Sequence, residues 1–429
     1  MRGWLGRASI GVSVRQTARV TATHAPTGPW SPLRVRLFLH LWLAAVVSNI
    51  GTSMHTVGAA WAITDLTDSP TIISLVQTAW AIPGFLVAVP AGAFADVVDR
   101  RRLIIGSQIG SMLFAGVLGV LAITDRLEVN TLLIGTFLLS VVMTVSGPAF
   151  MALIPDLVRP DELTQAIGLN NVAYNGSQSV GPALAGVVIA ASGPGAVFLL
   201  NAVSFLGIVW VMWRYRPARP GPTSDEPIVG AMKTGITYFV QRRELVRYPL
   251  RIAASFFSTA AAMALLPTLA RQQLGTGAGQ FGILSAAVGV GAVLAVWVLP
   301  RLKAAYPPDV LVMGGATVWA TGAVLMAASD RLPLAVVGVM FTGVGQMAAI
   351  NIVYSLFMLQ LPTWIRGRAS SVVMLSVWLG TSIGAVVWGA LADARGISTA
   401  LRAAAALHLV LTALLASRLR IHAPETDPA

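Results

Sequence analysis

"PAGAFADVVDRRRLIIG", residues 90–106, packs five charges into seven positions: Asp96, Asp99, Arg100, Arg101 and Arg102. On either side, about twenty residues run with almost no charge. A charge at the centre of a bilayer costs about 3 kcal/mol on insertion scales, and five together about 15 kcal/mol. The stretch is therefore read as a loop between two membrane-spanning helices.

The rest of the chain agrees. Apolar types make up 56% of its 429 residues and charged types 11%, against roughly 25% charged in soluble domains. Composition of this kind belongs to a membrane protein with many spans. Cysteine is absent, which excludes disulfides and thiol chemistry. The net charge of +12 comes from arginines scattered between apolar segments. That pattern lacks the clustered basic surface that nucleic acid requires. Residues 1–32 are basic, rich in small polar types and free of a continuous apolar run. They read as a disordered tail, not a secretory signal.

Segments long enough to span, about 20 residues each, predict twelve helices: 37–63, 70–94, 103–123, 130–154, 162–191, 195–213, 250–273, 280–300, 309–329, 332–361, 368–392 and 397–417. One connection is long, Pro-rich and charged: 214–249. The expected architecture is an all-α membrane protein with two pseudo-symmetric six-helix bundles. They span 33–213 and 250–420, joined by a cytoplasmic central loop at 214–249 and followed by a tail at 421–429. With the N-terminus inside, 24 of the 29 Lys and Arg fall on the inner side. That bias puts both termini on the cytoplasmic side, and the expected location is a bacterial inner membrane.

The two halves also read as copies. Pro155 and Arg159 match Pro362 and Arg366 at an offset of 207; Gly181 and Gly186 match Gly384 and Gly389 at an offset of 203. Six plus six spans related by a repeat is transporter architecture.

These residues carry a resemblance to the major facilitator superfamily, from about 33 to 420. That family's loop between helices 2 and 3 has the form Gly-x-x-x-Asp-Arg-x-Gly-Arg-Arg/Lys. In "GAFADVVDRRRL", Gly92, Asp96, Arg100 and Arg101 match, while Val97 and Asp99 depart from it. "SQSVGPALAG" is similar to the antiporter motif of helix 5 and supplies Gly181, Pro182 and Gly186. "GPAFMALIPDLVRPDEL", "FLLNAVSF" and "IRGRAS" resemble the branch that holds the enterobactin exporter and macrolide efflux pumps, the transmembrane secretion effectors. The resemblance implies that Asp96, with Arg100 and Arg101, forms a cytoplasmic latch against the start of helix 11. It implies equally that the helix 5 glycines form a packing seam that governs opening. Residues 131–154 carry no charge, so the helix 4 arginine common in proton-coupled drug antiporters is missing.

Polar residues inside spans face a bundle interior or a cavity. Asn171, Asn175 and Gln178 share one face of helix 5. Asn49 and His55 lie in helix 1, Gln77 and Trp80 in helix 2, and Gln346, Asn351 and Tyr354 in helix 10. Together they are the candidate cavity residues. His55 is also a candidate proton carrier, because its ordinary pKa of about 6.5 suits exchange near neutrality. A cavity without fixed charge suits a bulky, amphipathic small molecule such as a siderophore or a lipophilic drug. No phosphate-binding loop, nucleophile elbow or metal motif occurs. No enzyme activity, cofactor or metal is expected. The expected function is export by alternating access of a monomer, coupled to protons. A lysolipid flippase or an importer is the alternative, and a non-transporting scaffold the third reading.

Overall fold

The computed structural model describes residues 28–215, 242–362 and 365–418. Within them, only the backbone is described at 89, 92–97, 243–244, 367–368 and 417–418. The tail at 1–27, most of the central loop and the C-terminal tail lie outside the described residues.

Every long described element is a helix. In chain order they are α1 (Arg36–Leu66), α2 (Pro70–Val97), α3 (Arg100–Ile123), α4 (Val129–Leu157), α5 (Leu163–Arg214), α6 (Arg243–Ala264), α7 (Ala278–Ala305), α8 (Pro308–Ala328), α9 (Leu332–Leu359), α10 (Arg366–Arg395) and α11 (Ile397–Arg418). Among the described residues, eleven helical stretches are long and apolar enough to cross a membrane. Large apolar side chains such as Trp297, Val187 and Trp213 stand exposed, as lipid-facing residues do.

At 1.5 Å per residue, the 52 residues of α5 would run about 78 Å, more than twice a hydrocarbon core. The helix bends back at Gly193, whose φ of 76° and ψ of 170° are open only to glycine. Pro194 follows and keeps Gly193 out of the helical region. α5 therefore has two arms, 163–192 and 194–214. Gly396, between α10 and α11, repeats the device with φ 87° and ψ 155°. It stands 203 residues after Gly193, the offset already seen in the sequence.

α6 begins inside the stretch read as the central loop. Arg243, Glu244, Arg247 and Arg251 hide it from a hydropathy reading, but Leu245, Tyr248 and Ile252 are buried on one face. Its far end breaks at Leu265. A short turn, Leu266–Thr268, and a π-helical turn, Leu269–Gln273, follow.

Helices meet along small residues, as membrane helices do. Gly51 and Gly58 of α1 lie against Ser204 and Phe198 on the second arm of α5. Gly322 of α8 lies against Gly338 of α9. The two most extensive pairings between α1–α5 and α6–α11 are α2 with α10, and the first arm of α5 with α7.

Candidate functional site

The glycines of the repeat explain those two pairings. Gly181 lies against Ser53 of α1, and Gly384 against Phe257 of α6. One turn on, Gly186 crosses to Gly282 of α7, and Gly389 crosses to Ser74 of α2. In each copy, one glycine seats the helix on its own set and the next lets it approach the other. Pro182 is buried beside Gly181.

Links between the sets gather toward the end away from the termini. Trp61 of α1 stacks on Phe281 of α7 with ring centroids 5.3 Å apart. Arg271 pairs with Asp65 at 2.9 Å and lies over the Trp61 ring. Gln272 donates to the Asp68 carbonyl at 2.7 Å. Asp393 of α10 accepts from Ser69 and Thr71 at 2.7 and 2.8 Å. Deeper in, Thr78 donates to the Ser382 carbonyl at 3.1 Å. Sequence reading missed these groups. Acids and arginines at span ends look solvated until the opposing helix end is known.

At the other end, α7 is mostly exposed from 293 to 305, whereas 281–292 is mostly covered. Asn171, Asn175 and Gln178 are exposed on the first arm of α5. Asn175 donates back to the Asn171 carbonyl at 2.8 Å, and Gln178 to the Tyr174 hydroxyl at 3.3 Å. Gln77 and Trp80 come together. With Thr56, Thr136, Met263 and Pro267 they line one cavity between α1, α2, α4 and α6. Gln346 of α9 is half-buried, and both polar atoms of its carboxamide are out of water without a partner. Asn351 accepts from Lys303 at 2.8 Å, which holds it to the end of α7. Tyr354 meets Ser370 of α10 at 3.1 Å. Asn49 is half-buried on α1.

His55 departs from the cavity reading. It is fully buried, 4.6 Å from the Phe198 ring, with neither ring nitrogen hydrogen-bonded. The reason is the face it shares: Gly51 and Gly58 on either side of it are covered by the second arm of α5. Helical periodicity alone did not separate that face from a cavity face.

Gly92 and Asp96 lie in the last turns of α2, and their side-chain surroundings lie outside the described residues. Arg100 and Arg101 bind within α1–α5. Arg100 pairs with Asp156 at 3.3 Å. Arg101 donates to the carbonyls of Met212 and Trp213, both at 2.7 Å. A cation on the last carbonyls of a helix is favourable, since those groups lack intrahelical donors. Asp99, an odd residue for the loop signature, caps α3 by accepting from the Arg102 amide at 2.8 Å. Burial and the Asp156 charge raise the Tyr215 phenol above its ordinary pKa at the same corner.

Comparison with known proteins agrees with this anatomy. Residues 27–429 match the sequence profile described as transmembrane secretion effector. The chain is 26% identical over 258 residues to the staphyloferrin A transporter of Staphylococcus aureus, covering 59% of this chain and 64% of that one. It is 24% identical over 172 residues to macrolide efflux protein A of Streptococcus pyogenes, covering 40% of this chain and 41% of that one. The matches thus span less than two thirds of those relatives. A bacterial homolog of the lysosomal transporter Spinster, solved inward-facing and unoccupied, superposes with a TM-score of 0.72 at 15% identity, over 90% of this chain and 98% of that one. A bacterial homologue of the iron transporter ferroportin gives 0.69 at 16% identity, over 89% and 99%. With its repeat, its paired seams and a profile match over nearly its whole length, the chain belongs to the transmembrane secretion effector family of major facilitator membrane transporters.

Proposed function

We propose that this protein is a secondary exporter of a bulky amphipathic small molecule, a siderophore or a lipophilic drug. It works by alternating access, with protons as the driving ion. One observation carries the reading. The sets α1–α5 and α6–α11 are pinned together near one end, by Trp61 on Phe281, Asp65 on Arg271 and Asp393 on Ser69 and Thr71. Near the other end, uncharged polar residues stand exposed. A molecule sealed at one end and accessible at the other is one half of an alternating-access cycle.

We read the two arms of α5 as separate spans, which makes twelve among the described residues, six before the central segment and six after. An even count returns both termini to one side, and the arginine bias makes that side the cytoplasm of a bacterial inner membrane. Cargo then enters from the cytoplasm and meets Asn171, Asn175, Gln178 and Tyr354. Gln77 and Trp80 sit deeper, where an amide and an indole offer hydrogen bonds and apolar area together. Asp96 takes up the start of α10 when the cytoplasmic end closes. Siderophore and macrolide lead as cargo because the relatives include a staphyloferrin A transporter and a macrolide efflux protein.

The test is transport in proteoliposomes under an imposed proton gradient, with a carboxylate siderophore, a catecholate siderophore and a macrolide as cargo. Gradient-dependent movement of at least one supports the reading. Movement of none, in vesicles where the protein is folded and correctly inserted, overturns it.

A further inference from the structure

We infer that Asp393 is the gate residue of the sealed face, a carboxylate that sets how often that face opens. The inference rests on the alternating-access reading above. Asp393 lies on α10, three residues before the Gly396 turn. Its Oδ2 accepts from Ser69 at 2.7 Å and from Thr71 at 2.8 Å. These two residues flank Pro70, the first residue of α2. The Ser69 carbonyl accepts the Ile73 amide at 3.0 Å, so Ser69 caps the helix. The carboxylate therefore sits on the N-terminal end of a 28-residue helix, where the backbone presents positive charge.

Two features make this a gate, not general packing. First, Asp393 is exposed and forms no ion pair among the described residues. An exposed contact adds little to folding, but both donors are at the start of α2 and the acceptor is on α10. Its free energy therefore goes into the closed-to-open balance. Hydroxyl donors also exchange with water more readily than a buried ion pair would. Second, Asp393 breaks the repeat. The offset of 203 pairs it with Ala190 on the first arm of α5. Ala190 lies against Gly279 in the first turn of α7, 3.9 Å from where a methyl group on that glycine would stand. Corresponding helix ends thus meet at both seams, with a carboxylate, Asp393, at the α2–α10 end where the α5–α7 end has Ala190. Behind it, Gly389 against Ser74 and Thr78 on Ser382 continue the same seam inward.

The chain has no cysteine, so Arg126→Cys with Asp330→Cys places two spin labels on loops of the sealed face, one in each set. Distance distributions in lipid nanodiscs then report closed and open populations. Asp393→Ala should move the ratio toward open by about threefold to tenfold, as hydrogen bonds to a charged, partly screened acceptor would. Ser69→Ala with Thr71→Ala should move it as far, and the triple variant no further. Asp393→Asn, which keeps one acceptor, should fall between. Distributions that overlay the parent in both the Asp393 and the hydroxyl variants would overturn the inference. If the distances respond but the parent moves no cargo under any gradient, the gate stands and the transporter reading falls.

Discussion

Gly186 of α5 and Gly282 of α7 meet backbone to backbone. A methyl group on Gly186 would lie 2.7 Å from the Gly282 Cα, and one on Gly282 would lie 2.5 Å from the Gly186 Cα. Neither atom is the end of a flexible side chain, so any larger residue must push the two helices apart. Gly186→Val should therefore keep the sealed face from closing and cut transport by more than about tenfold, a loss of roughly 1.4 kcal/mol or more on the closed state. Gly176→Val is the control on the same helix, because nothing lies near Gly176. Uptake assays on both variants, normalised to folded protein in the membrane, check the difference.

Gly193 and Gly396 hold backbone conformations that other residues avoid. Gly193→Ala and Gly396→Ala should each cost about 1–3 kcal/mol of stability. Gly314→Ala, with open space around an ordinary helical glycine, should be neutral or slightly stabilising. Thermal unfolding in detergent reads all three. Equal midpoints for the three variants would remove the strain argument.

Arg101 ties α3 to the end of α5 through two carbonyls, Met212 and Trp213. Arg101→Ala should lower stability by about 1.5 kcal/mol, the low end for a net hydrogen bond to a charged donor. Lysine should not restore it, since a single ammonium does not reproduce the forked geometry. Unfolding midpoints of Arg101→Ala and Arg101→Lys should coincide below the parent.

His55 is a buried polar ring with no hydrogen bond. Replacing such a group with an apolar one of similar size is neutral or stabilising. His55→Leu should hold or raise the unfolding midpoint and leave the pH profile of transport in place. A pH-independent His55→Leu protein would restore the histidine as a proton carrier.

The sequence carried the spans further than the site. Long apolar runs bounded by charges gave helix limits within a few residues at most positions, because the bilayer fixes both length and composition. The turn at Gly193-Pro194 was visible as a break between 191 and 195 for the same chemical reason it exists. α6 starts before the apolar run that marks it, because its first turns are amphipathic: Leu245, Tyr248 and Ile252 are buried on a stretch that also carries Arg247 and Arg251. The site was harder to read. Gln77 and Trp80 meet Thr56 at one cavity. Arg100 and Arg101, by contrast, find partners on α4 and α5 within their own set. Asp393 does not stand out in the sequence, because an acid near a span end looks solvated. Only the three-dimensional arrangement reveals that the start of α2 stands opposite it.

The most direct measurement is uptake by energised everted membrane vesicles, with labelled siderophore or macrolide outside and a protonophore added midway. The account predicts accumulation that needs the protein, collapses when the protonophore is added and falls sharply with Gly186→Val. Accumulation that persists after the proton gradient is gone would contradict proton-driven export. Cargo that leaves loaded everted vesicles through the protein, without entering empty ones, would reverse its direction.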